Sequence, residues 1–189
     1  MNLEKIIKEA LPALQKTGIW IQNEAQSFDL NKVVLKGKND LVSYVDKEAE
    51  KKLVVDLKSI LPEAGFITEE DTADDDQKEF TWIVDPLDGT TNFIHGLPVY
   101  SISVGLLQDK DIVGGIVYEL NKKELFYAWK GGGAFLNDNP IHVAPTQDLS
   151  NSLLATGFPY YQFDKLDNYL AIIKDLMMHS HGLRRLGSA

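Results

Sequence analysis

Thr81-Trp82-Ile83-Val84-Asp85-Pro86-Leu87-Asp88-Gly89-Thr90-Thr91-Asn92-Phe93 is an apolar strand that runs into two carboxylates and then a Gly-Thr-Thr-Asn turn. Pro86 donates nothing to a ladder and holds φ near about −65°, so the pattern predicts that the chain leaves its sheet directly after Asp85. Asp85 and Asp88 then converge across the turn, with the Leu87 carbonyl between them as a third hard oxygen. Carboxylates forced together repel unless a cation neutralises them. Mg²⁺ accepts an all-oxygen set and keeps waters that a phosphate can replace. Gly89 permits close backbone approach, and a helix or tight turn starting at Thr90 would turn the N–H groups and hydroxyls of Thr90 and Thr91 toward an anion. A solvated Asp-Pro/Asp-Gly double turn is the plainer reading of such dipeptides. The full order of strand, Asp, Pro, Asp, Gly and Thr favours the metal.

Upstream, Glu69 and Glu70 follow the short apolar segment Ala64-Gly65-Phe66-Ile67, just after Leu61-Pro62 closes a helix. Two strand ends thus bring carboxylates to one rim. Asp46 follows the alternating Leu41-Val42-Ser43-Tyr44-Val45 and precedes an amphipathic run over 47–60, a place suited to an N-cap or to a ligand at the helix mouth. The acidic run from Glu69 to Asp76 reads mainly as a solvated loop.

The remaining pattern predicts a layered α+β domain. Residues 3–27 space Ile6, Ile7, Ala10, Leu14, Ile19 and Ile21 as one helix or a pair, with Pro12 and Gly18 as weak points. Alternation over Tyr100 to Leu106, Ile112 to Tyr118 and Glu124 to Trp129, punctuated by Asp109-Lys110-Asp111 and Asn121-Lys122, predicts an antiparallel meander behind the acidic rim. Residues 164–179 return to helical spacing, with Leu166, Tyr169, Leu170, Ile173 and Leu176 on one face. Trp82 and Phe93 read as packing that stiffens the acidic turn.

Composition narrows the function. At 189 residues and 44% hydrophobic, the chain can bury a sizeable core. Acidic residues outnumber basic ones by 28 to 19, a net charge of −9, and no basic patch is interleaved with aromatics; nucleic-acid binding is disfavoured. With no cysteine there is no disulfide, thiolate metal site or cysteine nucleophile. No apolar run of membrane-spanning length occurs, and the N-terminus is a charged amphipathic helix, so a cytoplasmic protein without membrane association is expected. His95, His179 and His181 lack zinc-site spacing. Neither a G-x-S-x-G elbow nor a Walker lysine is present, which makes covalent catalysis the weaker mechanism.

WIVDPLDGTTNFIH, preceded by DLVSYVD at 40–46 and FITEE at 66–70, resembles the inositol monophosphatase family of Mg²⁺-dependent, lithium-sensitive phosphomonoesterases. The resemblance implies that Glu69, Asp85, the Leu87 carbonyl and Asp88 hold metal, that Asp46 helps hold or orient a metal-bound water, and that Glu69 and Thr90 orient the attacking water. Gly89, Thr90 and Thr91 would bind phosphate, and Asp88 would also face a sugar hydroxyl. Lys36 would lie on a mobile loop of the metal site. Gly131-Gly132-Gly133-Ala134-Phe135 resembles the family's glycine-rich turn, and Gly187-Ser188-Ala189 the start of its substrate loop. Thr68 stands where the family usually has glycine. Residues 1–189 would form the N-terminal metal-binding half of the sugar phosphatase fold, with the start of the C-terminal half near 145–189 and the rest of that α/β half missing. The implied function is hydrolysis of an inositol monophosphate or similar small sugar or polyol phosphate by a homodimer, with residues 1–189 alone expected to be folded but impaired. Fructose-bisphosphatase or adenosine bisphosphate phosphatase activity is the enzymatic alternative. A non-catalytic oligomerising domain, with Arg184 and Arg185 at an interface, is the alternative of another class.

Overall fold

The apolar spacing of the first 26 residues resolves into a single helix, α1 (Leu3–Gln26), capped by the Asn2 side chain on the Lys5 N–H at 3.1 Å. The computed structural model of the chain describes residues 1–28, 33–37, 40–73, 78–159 and 163–187, with the backbone alone at 33–37 and 40–42. Pro12 does not break α1. It lies on the exposed side, where the carbonyl it leaves unbonded can reach water, while Leu11, Ala13 and Leu14 around it are buried. A hairpin of β1 (Val33–Gly37) and β2 (Asp40–Ser43) leads into α2 (Tyr44–Ile60). Val45, Ala49, Leu53 and Leu57 make the buried stripe of α2, as a spacing of four residues dictates.

One seven-stranded sheet organises the rest, in the order β3 (Gly65–Thr68), β4 (Phe80–Asp88), β5 (Ser101–Gln108), β6 (Asp111–Glu119), β7 (Glu124–Trp129), β8 (Gly133–Leu136) and β9 (Asn139–Ile141). Only the β3–β4 pair is parallel; every other neighbour is antiparallel. The expected meander is therefore β5 to β7, extended by the β8–β9 hairpin. Helices α1 and α2 cover one face. Ile7, Leu14, Leu53 and Leu57 pack there with Trp82, Val84, Ile102, Leu106 and Ile116 in a single core, each such side chain contributing roughly 1.5–3 kcal/mol of hydrophobic stabilisation. Trp82 is fully buried and Phe93 nearly so, the packing role expected of them. Tight approach sets the layer spacing: a Cβ on Gly18 would fall 2.6 Å from the Tyr118 ring. The opposite face carries Ser103, Gly105, Gly115, Ala128 and Ala134, small and half-buried, beside the more exposed Val117.

Beyond β9, a short parallel pair of β10 (Leu153–Ala155) and β11 (Gly182–Arg184) flanks α4 (Leu166–His179). The expected apolar face of α4 is only half-buried at Leu166, Tyr169, Ile173 and Leu176, and Leu170 is 49% exposed. Arg184 is exposed, and Arg185 lies 5.3 Å over the Phe158 ring.

Candidate active site

Pro86 does not end its strand. Strand β4 continues to Asp88, which pairs with Ser101, and the irregularity falls between Asp85 and Asp88 as a bulge. A bulge leaves a residue without ladder bonds, so a proline fits there without depriving a neighbour of a donor. The bulge also re-aims the side chains around it. Gly89 then adopts a left-handed φ of 99°, which favours glycine, and the chain enters α3 (Thr90–Ile94). The first N–H groups of a helical turn have no partner within it, which places those of Thr90 and Thr91 at the mouth of the bulge.

The parallel pairing of β3 with β4 continues one residue past β3, through the Glu69 N–H to the Val84 carbonyl at 3.3 Å. Glu69 and Asp85 are thus brought side by side. Burial, the neighbouring Glu69 carboxyl and the charge of Asp88 push Asp85 up to about 8, against a smaller opposing pull from the Leu87 N–H at 3.2 Å. Among the described residues no three carboxylate or imidazole side chains close into a cage. Asp85 instead interacts with both Glu69 and Asp88, and the Leu87 carbonyl lies on the same bulge. Hard oxygens in electrostatic conflict of this kind are the type that could hold a cation which retains part of its water shell.

Asp46 sits behind this rim. It is not the N-cap; Ser43 is, its hydroxyl receiving the Val45 N–H at 3.1 Å, and Asp46 is the third helical residue of the capping box. Asp46 Oδ2 accepts from the Ser43 N–H at 2.8 Å and the Ser43 hydroxyl at 2.6 Å. Asp46 Oδ1 lies 2.7 Å from the Thr90 hydroxyl, which is also 3.0 Å from the Leu87 carbonyl. Burial raises the Asp46 pKa, and the Ser43 and Thr90 hydrogen bonds pull it partly back. Helix α2 and the bulge are therefore tied together through Thr90.

Two further residues meet this region without having been singled out in the sequence. Glu50, one helical turn after Asp46, is completely buried and bonds the loop after β3. Its signal was a carboxylate four residues from Asp46 on the apolar side of α2. Asn92 donates to the Val99 carbonyl at 2.7 Å and to the Leu186 carbonyl at 3.4 Å, drawing the segment after β11 toward α3. A Cβ on Gly187, whose φ is 78°, would lie 2.9 Å from the Asn92 amide. Gly187 thus reaches the turn that holds Thr90 and Thr91. The side chain of Lys36, residues 74–77, Ser188 and Ala189 lie outside the described residues. Gly131, at φ 84°, turns the chain from β7 into β8, well separated in the sheet order from β4.

A model of the inositol monophosphatase family matches residues 2–189. The inositol-1-monophosphatase of Rhizobium meliloti is 41% identical over 190 residues, covering 100% of this chain and 71% of the relative. A putative Nus factor SuhB of Neisseria meningitidis serogroup B is 37% identical over 188 residues, covering 99% of this chain and 72% of its own length. The solved structure of extragenic suppressor protein suhB from Bartonella henselae matches with a TM-score of 0.89 and 34% identity, over 97% of this chain and 71% of that one. The α+β architecture described above is common to both.

Proposed function

The chain belongs to the inositol monophosphatase family of phosphatases, and from that premise we propose that its acidic rim hydrolyses a monoester of phosphate with a small polyol or sugar, using Mg²⁺. The observation that carries this reading is Asp85 in interaction range of both Glu69 and Asp88, on the bulge whose Leu87 carbonyl meets the Thr90 hydroxyl. Glu69, Asp85, Asp88 and the Leu87 carbonyl would hold Mg²⁺, which would supply charge neutralisation for the phosphate and a more acidic bound water. The Thr90 hydroxyl donates a hydrogen bond to Asp46, so a lone pair of its oxygen is left to accept from the attacking water. Buried Asp46 fixes that hydroxyl and can take the proton that Thr90 releases as it accepts one from the water. Glu69 orients the same water. The N–H groups of Thr90 and Thr91, with Gly89 leaving room for close approach, hold the phosphate oxygens. Asp88 additionally accepts from a substrate hydroxyl.

The test is phosphate release by the protein from an inositol monophosphate, a fructose bisphosphate and an adenosine bisphosphate. Turnover is expected only with Mg²⁺, highest on the inositol ester, lost on chelation and inhibited by lithium. Asp88→Asn should abolish it while leaving the circular dichroism spectrum unchanged. Turnover that survives chelation, or Asp88→Asn with parental activity, overturns the reading. A cytoplasmic homodimer completes it, and light scattering after size exclusion distinguishes that state from a monomer.

A further inference from the structure

Glu50 is a carboxylate with no exposed surface in a helix whose buried stripe is otherwise mainly apolar. Such a group is tolerated only when donors surround it. Three donors to it, among the described residues, come from one short stretch of chain. The Glu70 N–H reaches Oε2 at 2.8 Å, and the Thr72 N–H and hydroxyl reach Oε1 at 2.9 and 2.7 Å. Between these donors Asp71 takes a left-handed φ of 53°, a conformation uncommon for a residue with a side chain. The loop therefore bends around the Glu50 carboxylate, and Glu69 is the residue that enters the bend. Regular sheet pairing stops at Thr68, with one further ladder bond from Glu69.

Asp46 and Glu50 are four residues apart, so they stand one above the other on the same face of α2. Asp46 fixes Thr90 and Glu50 fixes the loop of Glu69. We infer that Glu50 is a positioning residue: through Glu70 and Thr72 it holds Glu69 against Asp85, and with Asp46 it makes α2 the ruler that sets the distance between the two acidic segments of the rim. This rests on the reading of Glu69 as a metal ligand given above. Partners that orient a ligand from behind typically change metal affinity by roughly 10–100-fold when removed. A carboxylate that served the fold alone would change stability and leave affinity untouched.

Titration of the protein with Mn²⁺, following free ion by electron paramagnetic resonance well below the unfolding temperature, separates these cases. Glu69→Gln is the reference. Glu50→Gln presents an amide NH₂ where an acceptor is needed, and Thr72→Val removes only the loop hydroxyl. We expect Glu69→Gln to weaken Mn²⁺ binding, Glu50→Gln to weaken it roughly tenfold, Thr72→Val to weaken it severalfold, and Thr72→Ser to restore it. Parental affinity in both Glu50→Gln and Thr72→Val, alongside weakened Glu69→Gln, overturns the positioning role. Parental affinity in Glu69→Gln removes the metal reading and this inference with it. Should Glu50→Gln fail to fold, the Thr72 pair decides, since that side chain lies half-exposed on the loop.

Discussion

Thr90 touches two parts of the rim with one oxygen, Asp46 at 2.7 Å and the Leu87 carbonyl at 3.0 Å. In the proposed reaction Thr90→Ala should reduce kcat on the order of a hundredfold, and Thr90→Ser should retain most of it, as initial rates of phosphate release would show. The alanine variant also deprives buried Asp46 of a donor, a loss of about 1–3 kcal/mol that a urea titration would record. A second residue-scale expectation concerns pH. Tyr127 is buried and donates to Asp138 at 2.6 Å. Burial, that bond and the Asp138 charge push its pKa up to about 12. A folded-state value above the unfolded one makes the neutral phenol stabilising below about pH 10, and that contribution is lost as pH rises toward 12. Urea midpoints should therefore fall between about pH 9 and about pH 11, and less steeply in Tyr127→Phe. The residual fall belongs to Tyr100 and Tyr118, which burial also raises. An identical pH profile in the variant would refute the assignment.

Helix α2 begins with a reciprocal cap, Ser43 and Asp46 each satisfying the other's backbone. Ser43→Ala should lower stability by about 0.5–2 kcal/mol and loosen Asp46, so that phosphate turnover falls as well; a stability loss with unchanged turnover would separate the cap from the site. Helix α1 offers a test of packing against propensity. Alanine for Gly18 gains about 1 kcal/mol of helix propensity. The added methyl would, however, meet the buried Tyr118 ring at 2.6 Å, and overpacking of this kind costs about 1–3 kcal/mol. Tyr118 is buried, so the clash is expected to win and Gly18→Ala should lower the thermal midpoint. A raised midpoint would mean that α1 stands further from β6. Strand β4 illustrates how element and residue readings diverge. Its apolar run and its acidic end were legible along the chain, but Pro86 marked a bulge rather than a terminus, because the neighbouring strand supplies a partner for Asp88 that no local rule anticipates.

Across the whole molecule, burial is uneven. Nine residues of α1 are buried and none of α4 is. Amide hydrogen exchange should therefore proceed first in β10, α4 and β11, and last in β5, β6 and α1; equal protection of α4 and α1 would contradict this ordering. The helices, the β5–β7 meander and the acidic turn at 85–91 were readable from the chain alone. Hydrophobic periodicity and the restricted conformations of proline and glycine act over a few residues, whatever the rest of the protein does. The membership of Glu69, Asp46 and Thr90 in one rim was suggested by resemblance and by strand ends, and the fold gives it a path: a parallel β3–β4 register places Glu69 beside Asp85, and α2 places Asp46 on Thr90. Glu50 and Asn92 became visible only in three dimensions. Glu50 bonds residues 20 and 22 positions away, and Asn92 meets a carbonyl 94 positions away. Sequence determines what a segment prefers to be; which buried polar group answers which distant backbone is decided only when layers pack and every donor cut off from water must find an acceptor.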